Sequence, residues 1–431
     1  MLCSSSYPHR DKTMKKTVKK IVYNIMKKFP FVRTLARKIV NVKRKAHVEI
    51  CARGQKVDSH TVFFMAFKGL SFACSPKAVY NYMLSSDEYN DFNFIWAFNK
   101  ENIECYRFLE KNKNTKLVIL NSKGYFRALR QARYWIVNYR MDDHISPRES
   151  QVYVQCWHGT PLKKLGYDIE LSDNSMNSKT EIRKKYEIDA KKFDYIVSPT
   201  PFTSKVFTSA WNLKEFSRED AVLEIGYPRN DFLLNYTSED AIRIKEELNI
   251  PKDKKIILYA PTWRDNQHTS GVGYTYNINL DFDKLQEELS DRYVIIFRVH
   301  YLVASSFDFA KYKGFIYDCS SYSDINHLYV ITDLLITDYS SVMFDYAILK
   351  KPMLFYMYDI DDYKDTIRGL YFDLDELPAR IITREDEMVG AIDDAISNFV
   401  FDEKYKQFNQ KYNINDDGQS ARRLVERVIT K

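Results

Sequence analysis

The sequence is poor in the residues that mark several common classes of protein. Only 12 glycines, 12 prolines and 6 cysteines occur among 431 residues, and no two cysteines form a C-x-x-C pair. These counts exclude a collagen-like or low-complexity chain, and the scattered cysteines argue against a zinc site and a disulfide framework. We therefore expect a reducing, cytoplasmic environment. The sequence as a whole requires neither a metal nor a cofactor.

Several sequence signatures are absent as well. No apolar run approaches the roughly 20 residues that a membrane-spanning helix needs, and no secretory signal is recognisable. The patterns G-x-x-x-x-G-K-[ST], G-x-G-x-x-G, G-x-S-x-G and H-E-x-x-H do not occur, which weakens P-loop, dinucleotide-binding, serine-hydrolase and zinc-protease functions. The length and the 45% content of apolar residues instead predict a folded protein of two domains.

Positive charge is concentrated at the N-terminus. Residues 1–50 carry 14 Lys and Arg against 2 Asp and Glu, whereas the rest of the chain carries 51 against 56. A protein that lays nucleic acid across its fold has basic residues on the body itself, so this distribution predicts no nucleic-acid partner.

Residues 14–45 have the pattern of an amphipathic basic arm, preceded by a segment over 1–13 that we expect to be unstructured. Apolar residues between Val18 and Ile39 recur at steps of three and four, and Pro30 is expected to divide the arm into two short helices. Such an arm can lie on an anionic membrane surface, which is the interpretation we favour. A helix docked on the body and a nucleic-acid arm are the alternatives.

Beyond the arm, short apolar runs alternate with helical patterns, and this βαβ rhythm starts again near residue 255. It predicts two facing, doubly wound Rossmann-like α/β domains, over 46–235 and 236–400, followed by a C-terminal helix over 401–431. Helical spacing also predicts a helix across Tyr125–Val137. Because ligands of such sheets bind beyond the carboxyl ends of the strands, motifs that follow strands in both domains should meet in one cleft.

Four polar motifs follow predicted strands closely. His158, with Gly159 after it, is placed to act as a general base on a hydroxyl, although a histidine there can also cap the next helix. Arg298 and His300 lie on the same side of a strand end, where they could hold a phosphate together, although a lone strand-end histidine is more often structural.

The third motif begins a helix and contains Asp338, Ser340 and Ser341. Its backbone N–H groups and hydroxyls suit a phosphate, but these residues are also ordinary N-caps. Asp345 either binds a donor hydroxyl or simply complements the helix dipole. A further group, Thr262, Trp263 and Arg264, offers a stacking ring and a cation after the first strand of the second domain.

The ordered set of motifs resembles the CDP-glycerol glycerophosphotransferases of teichoic acid synthesis, a family that includes primases and polymerases of poly(glycerol phosphate) and poly(ribitol phosphate). The segments that carry the resemblance are WHGTPLKKLG, GYPRND, YAPTWRD, the Arg298–His300 pair, TDYSSVMFDYA and RGLYFDLDELP, between about residues 150 and 380. The resemblance implies a two-domain fold of the glycosyltransferase B type and a CDP-alditol donor. It also implies a polyprenyl-diphosphate-linked acceptor, a peripheral location on the cytoplasmic face of the cell membrane, and a possible homo-oligomer.

The resemblance also implies roles for individual residues. His158 and His300 are expected to be catalytic, and Gly159, Thr160 and Lys163 to lie on the acceptor side. The expected donor-binding residues are Thr262, Trp263, Arg264, Arg298, Asp338, Ser340, Ser341 and Asp345. Tyr301 and the Pro378–Arg380 segment depart from the family pattern, which leaves the identity of the alditol open. The alternatives are a B-type glycosyltransferase that uses a nucleotide sugar, a capsule-polymer transferase and a catalytically silent scaffold.

Overall fold

The computed structural model describes residues 30–170, 173–174, 177–262, 268–269, 273–274, 280–299, 307–360 and 369–429. Its first domain is built on seven parallel strands: β1 (Asp58–Met65), β2 (Asn93–Phe98), β3 (Thr115–Ile119), β4 (Ala132–Val137), β5 (Val152–Gln155), β6 (Tyr195–Ser198) and β7 (Val222–Glu224). The spatial order is β3-β2-β1-β4-β5-β6-β7, so the chain crosses over after β3 and then continues outward on the other side of β1.

The second domain repeats this design with six parallel strands: β8 (Lys255–Ala260), β9 (Tyr293–Phe297), β10 (Ile316–Asp318), β11 (Leu334–Thr337), β12 (Met353–Tyr356) and β13 (Ile381–Ile382). Their order is β10-β9-β8-β11-β12-β13, again with the crossover beside the first strand. The predicted pair of doubly wound α/β domains is therefore confirmed.

Helices connect and cover the strands. They are α1 (Pro30–Cys51), α2 (Cys74–Ser85), α3 (Lys123–Gln131), α4 (Lys179–Ala190), α5 (Pro201–Ala210), α6 (Asp231–Asn235), α7 (Ser238–Glu247), α8 (Phe282–Leu289), α9 (Ile325–Ile331), α10 (Val342–Ala347), α11 (Met388–Ser397), α12 (Glu403–Asn413) and α13 (Ser420–Val428). Capping residues fix several helix starts: Ser178 and Thr237 form capping boxes before α4 and α7, and Thr200 caps α5 ahead of Pro201.

Both faces of each sheet are buried, which explains the continuous apolar runs in the sequence. In β1, Val62 and Phe64 pack in the core beneath α2 and α13, whereas Phe63 and Met65 pack on the opposite face with α3. Among the described helices, none combines the length and the apolar character that crossing a bilayer requires.

Three local predictions differ from the structure. The predicted helix across Tyr125–Val137 is wrong in its second half, because α3 ends at Gln131 and the next residues form the buried central strand β4. The predicted C-terminal helix consists of α12 and α13, separated by a turn in which Gly418 has φ +84°. The predicted arm boundary at residue 45 falls inside α1, which continues to Cys51, and residues 1–29 lie outside the described ranges.

Candidate active site

The loops that follow β5 and β11 meet between the two domains. Gly159, after β5, has φ +149°, and a Cβ atom at this position would lie 3.2 Å from Arg229 Nη2 and 3.4 Å from Ser341 Oγ. A side chain would force these groups apart, whereas glycine permits the close approach. The structure thus brings the His158 motif of the first domain beside the Ser341 motif of the second.

His158 is held by its neighbours in one orientation and one tautomer. Its Nδ1 lies 2.9 Å from the backbone oxygen of Asn138, which follows β4. A carbonyl oxygen can only accept a hydrogen bond, so Nδ1 carries the proton and Nε2 carries the lone pair. The ring stacks on Trp157, with 4.3 Å between ring centroids, and Trp157 itself packs against buried Trp211. The lone pair on Nε2 of His158 is therefore available to accept a proton.

The electrostatic surroundings of His158 keep it neutral. Burial lowers the pKa of its imidazole below the ordinary value of 6.5, and the positive charge of Arg229 lowers this pKa further, against the opposing effect of the Asn138 hydrogen bond. A neutral imidazole at physiological pH is the form that can act as a general base.

Arg229 links His158 to the second domain. Its Nη1 donates to the backbone oxygen of His158 at 2.6 Å, and its Nη2 donates to Asp345 Oδ1 at 2.6 Å. Asn230 also donates to the Asp345 carboxylate, at 3.2 Å. Burial disfavours the charged form of Arg229, but the attraction of the Asp345 carboxylate outweighs this effect. The pKa of the guanidinium is therefore raised above its usual value. The sequence identifies the motif that contains Arg229 but assigns this residue no role.

The Asp345 carboxylate therefore forms a buried ion pair with Arg229. Its side chain is 5% exposed, and both carboxylate oxygens receive hydrogen bonds from Arg229. We expected this residue either to bind a donor hydroxyl or to complement the helix dipole. The observed contacts give it a third role, as the partner that fixes Arg229.

Arg298 is the anchor of a neighbouring loop. Its Nη1 donates to the backbone oxygens of Cys319 at 2.7 Å and of Tyr322, and lies 3.2 Å from that of Ser320. Burial lowers the pKa of this guanidinium. These contacts hold the segment after β10 at the carboxyl edge of the second sheet. Arg298 therefore has a structural role, and the predicted binding of phosphate would be a second role.

The other predicted donor residues that the structure describes lie at the same edge. The Thr262 backbone N–H donates to Asp338 Oδ1 at 2.7 Å, which joins the ends of β8 and β11. Ser341 precedes α10 without capping it through its side chain, and Ser340 is its neighbour. Trp263, Arg264 and His300 lie outside the described residues.

The residues predicted to lie on the acceptor side belong to the segment after His158. This segment pairs with residues 369–371 of the second domain, and we call the paired region the strap. Thr160 is buried, and Lys163 makes an antiparallel bridge with Leu370. Backbone hydrogen bonds of 3.0 Å join Lys164 to Gly369 and Tyr371 to Leu162. The Tyr371 hydroxyl donates to Asp168 at 2.6 Å and accepts from the Leu165 N–H at 2.9 Å. Tyr371 thus holds the loop that carries the candidate base.

Replacing Tyr371 with phenylalanine is expected to destabilise the protein by about 1–3 kcal/mol, because a partly buried carboxylate and an N–H each lose a partner. Chemical denaturation of the variant measures this loss. Tyr317→Phe is the matched control, since the Tyr317 hydroxyl has no hydrogen-bond partner among the described residues. Equal stabilities of the two variants would show that the Tyr371 hydroxyl does not stabilise the strap.

Comparisons with known proteins agree on one family. The model of the CDP-glycerol:poly(glycerophosphate) glycerophosphotransferases matches residues 47–430. The teichoic acid poly(glycerol phosphate) polymerase of Bacillus subtilis is 36% identical over 419 residues, which are 96% of this chain and 55% of that protein. The teichoic acid glycerol-phosphate transferase of Staphylococcus aureus is 37% identical, over 86% of this chain and 93% of that one.

This chain belongs to the CDP-glycerol glycerophosphotransferase family. The solved structure of the wall teichoic acid polymerase TagF is similar to it with a TM-score of 0.79 and 33% identity, covering 94% of this chain and 96% of the other. Relatives named as ribitol-phosphate polymerases match at 27 to 32% identity. The predicted family, the glycosyltransferase B type of fold and the class of enzyme, an alditol-phosphate transferase of teichoic acid synthesis, are confirmed.

Metal binding finds no support in the geometry of the described side chains. Over the ranges that the structure covers, no group of three or more His, Cys, Asp or Glu residues is arranged to hold a metal ion.

Proposed function

We propose that this protein transfers glycerol phosphate from CDP-glycerol to a hydroxyl group of a polyprenyl-diphosphate-linked acceptor, with release of CMP, on the cytoplasmic face of the membrane. The observation that carries the proposal is the fixed tautomer of His158, which leaves Nε2 unprotonated, while the next residue, Gly159, lies beside Ser341 of the other domain. Family membership supports the reaction class, and the fixed orientation and lowered pKa of the His158 imidazole support its role as the base.

In the proposed reaction, Nε2 of His158 takes the proton of the acceptor hydroxyl as its oxygen attacks the β-phosphorus of the donor. A new phosphorus–oxygen bond forms to the acceptor, and the bond between the β-phosphorus and the oxygen that bridges to CMP breaks. CMP leaves with the bonding electrons. Transfer of this kind needs mainly alignment and stabilisation of charge from the protein.

Donor binding is assigned to the carboxyl edge of the second sheet. The proposed donor residues are Thr262, Trp263, Arg264, Arg298, Asp338, Ser340 and Ser341, with His300 as the second catalytic histidine. What supports the placement is that Ser341 lies next to Gly159, so a donor phosphate near Ser341 would be within reach of the candidate base. Asp345 is left out of the donor site because Arg229 occupies its carboxylate.

We favour CDP-glycerol over CDP-ribitol as the donor because the poly(glycerol phosphate) polymerases and the glycerol-phosphate transferase are 36 to 37% identical to this chain, whereas the ribitol-phosphate polymerases are 27 to 32% identical. Incubation of the protein with acceptor and CDP-glycerol, CDP-ribitol or a nucleotide sugar, followed by measurement of CMP or nucleoside diphosphate release, tests this choice. We expect CMP release with CDP-glycerol to exceed that with CDP-ribitol. Release of a nucleoside diphosphate from the sugar donor alone would instead establish a glycosyltransferase.

Attachment to an anionic membrane is assigned to α1 and the basic residues around it. Leu35, Ile39, Val42 and Ile50 lie within one arc of this helix and are 48 to 72% exposed; we call them the apolar face of α1. Arg37 and Glu49 dock other parts of the helix on the body through ion pairs with Glu181 and Arg130. An exposed apolar stripe on a basic, docked helix suits the interface of an anionic bilayer.

Substituting both Ile39 and Val42 with serine is expected to weaken binding to anionic vesicles at least tenfold, since each buried aliphatic side chain contributes about 1.5–3 kcal/mol. Sedimentation with vesicles of anionic phospholipid measures the change. Ile242→Ser with Val400→Ser is the control, because these second-domain residues are similarly exposed at 51% and 71%. If both double variants sediment like the wild type, the apolar face is not the anchor.

A further inference from the structure

A buried carboxylate behind the candidate base takes no part in the chemistry proposed above. The side chain of Asp189, near the end of α4, is 0% exposed. Its Oδ2 accepts a hydrogen bond from Trp211 Nε1 at 3.0 Å and lies 3.3 Å from Arg140 Nε, while its Oδ1 has no hydrogen-bond partner among the described residues. Burial raises the pKa of this carboxyl, and the charge of Arg140 opposes the rise. Burying a charge is unfavourable unless it is paired and hydrogen-bonded, and both partners of Asp189 lead toward His158.

The first partner, Trp211, supports the ring on which His158 stacks. Trp211 is fully buried, and its ring meets that of Trp157 edge to face, with 4.9 Å between centroids. Trp157 in turn stacks on His158 at 4.3 Å. The hydrogen bond to Asp189 fixes the rotation of the Trp211 indole, because apolar packing alone is not directional. The surface that Trp157 offers to His158 therefore depends on Asp189.

Trp157 needs such support because its backbone is strained. Its φ of +51° lies in the left-handed region, which is uncommon for a bulky residue. The side chain of buried Gln155 accepts a hydrogen bond from the Trp157 N–H at 2.9 Å and donates to the Tyr153 hydroxyl at 3.1 Å. Strained conformations persist only where the surroundings hold them, and they cluster at functional sites. Here Gln155 holds the backbone of Trp157, and Trp211 holds its ring.

The second partner, Arg140, belongs to the segment that supplies the carbonyl group for His158. Arg140 lies two residues after Asn138, and its Nη2 donates to the backbone oxygen of Lys185 in α4 at 2.6 Å. The ion pair with Asp189 is a second attachment to the same helix. The segment after β4 is thereby tethered to α4 close to the Asn138 carbonyl, which lies 2.9 Å from His158 Nδ1.

We propose that Asp189 is a positioning residue for the transfer reaction: through Trp211 and Arg140 it fixes the ring and the carbonyl group that orient the imidazole of His158. The inference rests on the proposed function and extends it to a residue that acts only through its neighbours. Because one carboxylate joins both supports, its replacement loosens the stacking surface and the hydrogen-bond acceptor of the base together. A loosened imidazole directs the lone pair of Nε2 toward the acceptor hydroxyl for less of the time.

Asp189→Asn in the full-length protein tests the proposal. The asparagine oxygen can still accept from Trp211, but the neutral amide no longer forms an ion pair with Arg140. Turnover of CDP-glycerol, followed as CMP release, is expected to fall by about 10- to 100-fold, because a misplacement of about 1 Å can cost about 10²-fold. The KM for CDP-glycerol should stay near that of the wild type, since the proposed donor residues belong to the second domain.

The tautomer of His158 is a readout that separates positioning from stability. Its imidazole nitrogens are observed by NMR in protein that carries isotope-labelled histidine, without any substrate, and are assigned by their absence from His158→Asn. We expect the proton at Nδ1 alone in the wild type, and an added population with the proton at Nε2 in Asp189→Asn. Asp333→Asn is the matched control, because Asp333 is a partly buried carboxylate that accepts from the Ile256 N–H at 2.8 Å, at the amino edge of the second sheet. It should change neither the tautomer nor the rate.

Trp211→Phe tests the same inference if Asp189→Asn does not fold. Phenylalanine keeps a ring against Trp157 but has no N–H to donate to Asp189, so turnover and tautomer should change in the same direction as in Asp189→Asn. In either folded variant, a His158 that stays wholly in the wild-type tautomer would overturn the proposal, because Asp189 would then serve stability alone. A wild type that releases no CMP from CDP-glycerol would refute the proposed function, whereas the tautomers would still decide the positioning role.

Discussion

Replacement of His158 by asparagine is expected to reduce turnover of CDP-glycerol by about 10²–10⁴-fold, the usual contribution of a general base. The asparagine amide can still donate to the Asn138 carbonyl in place of Nδ1, but it has no lone pair able to take the acceptor proton. The loop should therefore keep its shape, and the affinity for CDP-glycerol should remain near that of the wild type. Initial rates of CMP release and calorimetric titration with the donor measure the two quantities.

His60→Asn is the control for this experiment. His60 is partly exposed at the beginning of β1, on the edge of the sheet opposite to the cleft, and its Nε2 lies 3.2 Å from the Asp91 carboxylate. Its replacement should leave turnover unchanged. A His158→Asn enzyme that releases CMP at the wild-type rate in the presence of acceptor would show that another group takes the proton.

The pH dependence of turnover follows from the same geometry. The pKa of His158 is lowered, so the base remains unprotonated at neutral pH and becomes protonated only as the pH falls below the ordinary value of 6.5. We expect the acid limb of the rate profile below that pH, and we expect this limb to be missing from the residual activity of His158→Asn. If the wild-type rate already fell with decreasing pH while the pH was still above 7, this result would contradict the assignment.

The strands were largely predictable because a strand that is buried on both faces of a sheet consists of consecutive apolar residues. Ile256–Leu258 in β8 and Leu334–Ile336 in β11 are examples in which every residue is buried. Strand β4 was not predictable in this way, because it follows α3 without an intervening glycine, proline or polar turn. The helical spacing therefore runs across the junction, and only the pairing of β4 with β1 and β5 separates the two elements.

Because β4 could not be predicted, part of the candidate active site could not be predicted either. Asn138, whose carbonyl fixes the tautomer of His158, follows β4 directly, and its side chain accepts from the Phe67 N–H at 2.8 Å. Arg229 was visible in a motif, but its role depends on Asp345, which is 116 residues away. The sequence located the groups that follow strands, whereas the choice of partners between distant loops required the folded structure.

The Arg229–Asp345 pair provides the second large expected effect. Arg229→Met is expected to destabilise the protein by about 3–5 kcal/mol, because it leaves the Asp345 carboxylate buried without its cation. The two side chains are 10% and 5% exposed, so solvent cannot replace the lost contact. Denaturant unfolding measures the loss, with Arg243→Met as control. Arg243 is 68% exposed and pairs with Asp240 on the surface, so its loss should cost at most about 1 kcal/mol.

A double variant separates the ion pair from the positioning of the base. Arg229→Met combined with Asp345→Leu removes both charges and should recover much of the lost stability, since apolar replacements of buried pairs are often close to neutral. Turnover should not recover with it, because the hydrogen bond from Arg229 to the His158 carbonyl is still missing. If turnover returned together with stability, Arg229 would serve folding alone.

The pH profile of Arg229→Met then tests the electrostatic link between the two residues. The positive charge of Arg229 is one cause of the lowered pKa of His158, so its removal should move the acid limb of the remaining activity to higher pH. Arg229→Lys keeps a charge at this position but cannot donate to the His158 carbonyl and to Asp345 with the planar geometry of a guanidinium. We therefore expect the lysine variant to retain the wild-type position of the acid limb at a reduced rate. An acid limb that stays in place in Arg229→Met would mean that burial alone sets the pKa of the base.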